Sequence, residues 1–357
     1  MIQTTIRPDA DFGRLRKVLL REGLPDRVPF FEIFADMEIS EAVLGRSAPR
    51  GDDAKALIQR IAHEIAFQHA LGYDYVRVTA DPPFPSTTRP ARNTAALAKG
   101  DRGWVVSVDS VIRSRSDLDS FRWPVVADEQ FAGLEYANRH LPDGMKIIGT
   151  QSGIFEHTEF LLGYENLCIK LAEDRDLVRE VFTRVGELQH ECFKRIVQYE
   201  NVAALWYTDD LGFKTQTLIS PRDLREFVFP WHKRMVDIAH ERGLPALLHC
   251  CGNLEEVMEN IIDGCGFDAK HSFEDAIMPV EEVKTKYGNR IAILGGIDVD
   301  FLTRASADDV RRRTRDVLEH CMPGGGFALG TGNSVANYIP VANYIAMLET
   351  GWELGRY

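Results

Sequence analysis

The side chains best suited to chemistry lie in the stretch His249-Cys250-Cys251-Gly252-Asn253. A short apolar run, Pro245-Ala246-Leu247-Leu248, precedes it, and an amphipathic pattern starts near Leu254. That order reads as a strand, a tight turn and a helix start. Residues two apart on an extended strand end point the same way, so His249 and Cys251 share a side and Cys250 faces the other. One imidazole and one thiolate converging there supply two of the three protein ligands of a catalytic zinc site. The same stretch also reads as a buried thiol pair beside a polar histidine, since free cysteine is often core.

What must position these residues is a run of strands and helices in alternation. Short apolar runs fall at 28–34, 75–78, 146–149, 203–207, 246–249, 267–270, 291–294 and 327–329. Longer helical patterns separate them, and this predicts an α/β protein of the (β/α)8 TIM-barrel class. Ser220-Pro221 predicts a helix start and Gly243 its end; Asn253 predicts another, with Gly264 as its stop. Ser306 with Asp309 opens a helix that ends near Cys321, and a last one starts near Pro340. The whole chain, 1–357, reads as one barrel unit with an excursion at about 81–130 over the barrel mouth. Within it, 104–112 alternates like a hairpin strand.

Working residues of such barrels stand at the C-terminal strand ends. Collected in order, these are Glu32 and Asp36; Gln151, Phe155, Glu156 and His157; Tyr207, Asp209 and Asp210; His249 and Cys251; Lys270, His271 and Glu274; Asp298; and Thr331 and Asn333. Phe213 and Phe273 add aromatic faces. Two adjacent carboxylates, Asp209 and Asp210, call for a nearby cation or donor. Lys270 beside His271 is the expected cation, or the expected grip on a substrate carboxylate. Cys321 and Cys265 precede strands and belong at the opposite end of the barrel.

The chain has 357 residues, 45% of them hydrophobic and 27% charged, which suits a globular fold with ample core. A net charge of -12 argues against nucleic acid and anionic membrane surfaces as partners. No apolar run has the length of a membrane span. Six cysteines in so long a chain do not make a disulfide framework, and no apolar signal core opens it; the expected compartment is a reducing cytoplasm.

Several motifs together resemble the uroporphyrinogen decarboxylase superfamily, which includes cobalamin- and coenzyme M-dependent methyltransferases. They are Pro25-Asp26-Arg27-Val28-Pro29, Leu71-Gly72-Tyr73-Asp74-Tyr75, Asp209-Asp210-Leu211-Gly212, Leu248-His249-Cys250-Cys251-Gly252-Asn253, His271-Ser272-Phe273-Glu274, Leu294-Gly295-Gly296-Ile297-Asp298 and Pro340-Val341-Ala342-Asn343-Tyr344. The resemblance implies a distorted barrel, commonly a homodimer. The decarboxylase branch carries arginines after the first strand, where this chain has Phe30 to Asp36 with none, and a histidine where Thr331-Gly332-Asn333 stands. The methyltransferase branch binds zinc through H-x-C and a distant cysteine; His249 and Cys251 match, but Asn333 occupies the third place.

The expected function is therefore methyl transfer between a small methylated substrate and a corrinoid on a partner protein. Zinc is expected on His249, Cys251 and a substituting carboxylate, with Asp298 first and Glu274 or Asp210 as alternatives. Asp209, Asp210, Lys270 and His271 are the catalytic candidates; Tyr207, Phe213, Glu274 and Asn333 are the substrate-binding candidates. The alternatives are a metal-free carboxy-lyase of porphyrin metabolism and a non-catalytic tetrapyrrole- or corrinoid-binding protein.

Overall fold

The computed structural model describes residues 2–51, 53–85, 88–100, 102–105 and 110–357. Seven parallel strands form one curled sheet in the order β1 (Tyr75–Thr79), β4 (Lys146–Ser152), β5 (Val202–Thr208), β6 (Ala246–His249), β7 (Ala269–His271), β8 (Ala292–Leu294) and β9 (Phe327–Ala328). A separate antiparallel hairpin, β2 (Thr88–Ala91) with β3 (Arg102–Val105), lies in the excursion. The expected hairpin strand at 104–112 is only partly covered, because 106–109 fall outside the described residues.

Seven of the eight expected strands form the ladder; 28–34 does not. It makes isolated parallel bridges, Phe30 to Leu329, and just beyond it Ala35 to Val335. Phe31 N donates to Leu329 O at 2.8 Å and Leu329 N to Pro29 O at 2.9 Å. Pro29 has no N–H to offer a neighbour, which weakens any regular ladder there. On the β1 side the join is a side chain: the Tyr75 hydroxyl donates to Glu32 O at 2.6 Å and accepts from Glu32 N at 2.9 Å. Phenol chemistry thus closes the seam that backbone pairing leaves open.

Alternation along the strands sorts side chains into two layers. Inside, Phe31 packs on Tyr75 at 5.1 Å, on Trp206 at 4.6 Å and on His271 at 5.7 Å between ring centroids. Outside, the strands are covered by helices such as Arg175–Ile196 and Phe229–His240. Ser220 caps its helix by accepting from Asp223 N, and Ser306 accepts from Asp309 N, as expected. The segment after Asn253 is less regular than expected: a short 3-10 turn, then a π-helical turn Asn260–Cys265 that stops at Gly266 rather than at Gly264. Cys321 ends a helix near Lys284 and Tyr357, at the far end from His249.

Candidate functional site

Two neighbouring strand ends bring three ligand atoms to a common point. Asp210 follows β5, His249 ends β6 and Cys251 follows it, and their ligand atoms all lie within 4.8 Å of one another. Cys251 Sγ is 3.4 Å from His249 Nε2, which is 3.7 Å from Asp210 Oδ1. Asp210 also accepts from Cys251 N at 2.8 Å. This closeness needs Gly252, whose φ is +85° and whose added Cβ would sit 2.2 Å from the Gly212 backbone. Only glycine fits both that conformation and that contact.

The imidazole is oriented from behind. His249 Nδ1 and His271 Nδ1 are 2.8 Å apart, and both rings are buried. Burial first, then nearby cations or the neighbouring ring, hold both well below the usual histidine range, His249 at about 3. Two neutral rings share one proton across that contact. With the proton on His249 Nδ1, its Nε2 lone pair faces Cys251 and Asp210, the tautomer a metal needs.

The sulfur is surrounded by donors: Asn333 Nδ2 at 3.1 Å and Ser272 Oγ at 3.3 Å. Ser272 has φ +84°, a conformation that costs a non-glycine residue about 1–3 kcal/mol. Burial and the Asp210 carboxylate push the Cys251 thiol up, so a cation between them is what would favour the thiolate. A nitrogen, a sulfur and a carboxylate oxygen are a donor set that suits zinc. With its proton on Nδ1, His249 offers Nε2 to the same ion that the donors on Cys251 suit. Glu156 stands beside Asp210, its carboxyl held well above the usual range by burial and by Asp210 and Asp209.

Several expected site residues lie elsewhere. Asp298 is not grouped with the metal candidates: its Oδ1 accepts from Asp300 N at 2.8 Å and Phe301 N at 3.1 Å, and its Oδ2 from Asp275 N at 2.9 Å. It caps a helix, and Asp210 takes the expected carboxylate place. Asp209 caps a helix across the fold, accepting from Phe155 N at 3.1 Å and Glu156 N at 3.2 Å, with His232 Nε2 at 2.8 Å. Gly153 makes room for it, since a Cβ there would fall 1.8 Å from Asp209 Oδ1. Lys270 faces outward and donates to the carbonyls of Cys250 at 3.1 Å, His271 at 3.4 Å and Ser272 at 2.8 Å. All three ammonium protons are engaged, so it pins the loop that carries Ser272 and leaves nothing for a substrate. Tyr207 also faces outward, its hydroxyl donating to Gln189 Oε1 at 2.8 Å; Trp206 faces the interior instead. Phe213 is 55% exposed on the loop after Asp210. Glu274 lines a cleft of about 1020 Å³ together with Phe273, Asp298, Asn333 and Tyr338.

Arg77 and His232 were not among the expected residues. Arg77 shares the inward face with Tyr75 and lies over the Phe34 ring at 5.5 Å. Its charge reaches His249. Among the described residues it makes no direct hydrogen bond or salt bridge; the carboxylates of Glu64 and Asp81, which accept from Gln68 and Ser152, act on its charge from a distance. A charge inside an otherwise apolar strand was the available signal. His232 gives none, because it sits on a helix whose partner is set by the fold.

A family model described as uroporphyrinogen decarboxylase matches residues 100–353. The chain belongs to that family. A methylated-thiol–coenzyme M methyltransferase of Methanosarcina mazei is 32% identical over 140 residues, 38% of this chain and 34% of that protein's length. A uroporphyrinogen decarboxylase of Anaeromyxobacter dehalogenans is 22% identical over 270 residues, 71% of this chain and 73% of its own length. Among solved structures, a methyltransferase from Methanosarcina mazei superposes with a TM-score of 0.70 at 17% identity, covering 95% of this chain and 97% of its own. A putative vitamin-B12-independent methionine synthase from Listeria monocytogenes superposes at 0.51 with 11% identity, covering 92% and 98%. Both likenesses confirm the barrel-type fold. Among the described residues no helix is long and apolar enough to cross a membrane.

Proposed function

We propose that this chain is a methyltransferase-type member of its family, moving a methyl group between a small methylated substrate and a corrinoid carried on a partner protein. The observation that carries the reading is the convergence of Asp210, His249 and Cys251 on one point. Those three side chains would hold zinc, with Asp210 in the place expected of Asp298. Bound there, the ion supplies Lewis-acid polarisation of a substrate heteroatom or a lowered thiol pKa.

The chain's own residues do the rest. His271 would hold the proton-bearing Nδ1 of His249 by accepting from it. Asn333 and Ser272 hold the Cys251 sulfur and support negative charge on it. Glu156, kept neutral, offers a proton beside Asp210. Arg77 suits one anionic group on a small substrate, since a half-buried guanidinium with no direct hydrogen bond or salt bridge among the described residues gains from a carboxylate-like ligand. Asn93 and Lys99 of the excursion line a cavity with Phe34 and Asp36.

The decarboxylase reading draws on the longer match to a named decarboxylase. A tetrapyrrole with several carboxylates needs several buried cations, and Asp210 would repel it. The test is elemental analysis of protein purified without added metal, with corrinoid-dependent demethylation assayed beside carbon dioxide release from uroporphyrinogen. About one zinc per chain, lost in Cys251→Ala, together with demethylation supports the reading. Tight porphyrin binding with carbon dioxide release overturns it.

A further inference from the structure

Glu32 is 1% exposed and forms no salt bridge among the described residues. Its Oε1 accepts from Thr331 N at 2.7 Å, and its Oε2 lies 2.5 Å from Thr331 Oγ1. The same Thr331 Oγ1 lies 2.7 Å from the carbonyl oxygen of Asn333. A threonine hydroxyl has one proton. It can be given to Asn333 O or to Glu32 Oε2, and whichever oxygen is left without it faces Oγ1 lone pair to lone pair. Two contacts this short need two protons. The second has one source within reach, the carboxyl of Glu32 itself.

We propose that Glu32 is carried as a neutral carboxylic acid donating from Oε2 to Thr331 Oγ1, and that this proton positions the Asn333 amide on the sulfur of Cys251. The chain of contacts is continuous: Glu32 to Thr331 Oγ1, Thr331 to Asn333 O, and Asn333 Nδ2 to Cys251 Sγ at 3.1 Å. The titratable groups facing Glu32 are the phenols of Tyr73, Tyr75 and Tyr344, and none offers it a positive charge. Burial alone lifts its carboxyl to about 8, against the two Thr331 bonds that lower it. Glu32 is thus a positioning residue for the sulfur, three hydrogen bonds along the chain from it. The link to Cys251 rests on the reading of Cys251 as the working sulfur; the protonation does not.

The experiment compares wild type, Glu32→Gln and Glu32→Ala at neutral pH. A glutamine amide reproduces the neutral acid, donating through Nε2 and accepting through Oε1, whereas it cannot reproduce a carboxylate. Infrared difference spectra should show a protonated-carboxyl band in wild type that is lost in Glu32→Gln. Peptide mapping after alkylation gives the rate at Cys251 without any metal; Cys168, the exposed thiol, serves as the internal standard. Glu32→Gln should stay within about twofold of wild type, while Glu32→Ala should shift the rate by about tenfold, the lower end of what an outer-shell partner is worth. No protonated band, with Glu32→Gln as disturbed as Glu32→Ala, shows that Glu32 is ionised and overturns the proposal. A band present with all three rates equal overturns the positioning role. Both readouts hold whether or not the protein proves to bind zinc.

Discussion

Asp209 and Asp210 are neighbours in the chain, yet they belong to different parts of the machine. Asp209 is fully buried on the outward side, where it caps a helix and meets His232. Asp210 keeps 42% of its side chain exposed and turns inward to His249 and Cys251. The pattern repeats at the next strands. Cys250 faces out and accepts from Leu211 N at 3.3 Å, while Cys251 faces in. Lys270 faces out onto three carbonyls, while His271 faces in onto His249. The outward member of each pair holds loops or helices, and the inward member joins the cluster around His249. Chemistry and scaffold are divided by strand parity, one residue apart.

The largest effects should come from breaking the outward set. Asp209→Ala leaves two helix N–H groups and a buried histidine without their acceptor. Loss of one partner of such a buried cluster costs about 3–5 kcal/mol. Asp210→Ala, at a half-exposed position, should cost no more than about 1 kcal/mol. Urea denaturation of the two variants measures both. Equal losses would mean that the two carboxylates are not divided as described.

Zinc content sharpens the comparison from the inward side. Cys251→Ala should lower zinc affinity by more than the ~10–100-fold typical of outer-shell changes, because it removes a ligand. Cys250→Ala should keep the metal and lose some stability instead. Competition with a chelator reads the first and thermal melting the second. Metal retained by Cys251→Ala and lost by Cys250→Ala would invert the assignment of faces.

Much of this division was legible in the residues, and what was not has definite causes. The two-residue spacing of His249 and Cys251 needs only strand alternation, and the structure keeps both on one side. The aromatic pair Trp206-Tyr207 carries no such signal, because either ring can fill a barrel or cover its outside; the strand runs to Thr208 and puts Trp206 inside. Asp298 sits at a strand end like a site residue, but a carboxylate just before a helix is also a cap, and local N–H groups win. Lys270 is expected to meet a carboxylate, and in the fold its ammonium meets backbone carbonyls, partners that sequence does not display. The first strand fails as a ladder because Tyr75, distant in the chain, replaces its pairing.

The third effect is a pH dependence. Glu32 is lifted in the fold from the ordinary 4.5 to about 8. A raised acid keeps its proton in the fold while the unfolded chain releases it. Stability from this group is therefore complete below about 4.5 and is lost as pH rises toward 8. Asp74, lifted to about 6 by burial, has the same sign but is spent earlier. His249 and His271 have the opposite sign, and their effect ends above the ordinary histidine value of 6.5. Between about pH 6.5 and 8 Glu32 and Glu156, whose carboxyl is also held well above the usual range, share the same sign. Glu32→Gln should therefore flatten the fall by roughly 1 kcal/mol per pH unit and leave the Glu156 share. Denaturation curves across that window decide it; the same slope in the variant would place the titration elsewhere.

The smallest effect probes a residue that belongs to the inward set without touching its ligands. Arg77 lies on the face of Tyr75 in β1, and Thr79, two residues on, is exposed, so the mouth is open above it. Among the described residues its removal breaks no direct hydrogen bond or salt bridge, though it takes a charge away from Glu64, so Arg77→Met should lower the melting temperature only slightly. One charge-assisted hydrogen bond to a ligand is worth about 1.5–3 kcal/mol, which is a rise of about tenfold or more in KM for a substrate with one anionic group. The kcat should hold, because the contact is made equally in ground and transition states. Arg77→Lys should recover part of the loss, since it keeps the charge and gives up the planar fork. A neutral methylated substrate run in parallel separates binding from damage to the barrel. If both substrates weaken equally, Arg77 is scaffold after all, and parity alone does not sort the two faces at β1.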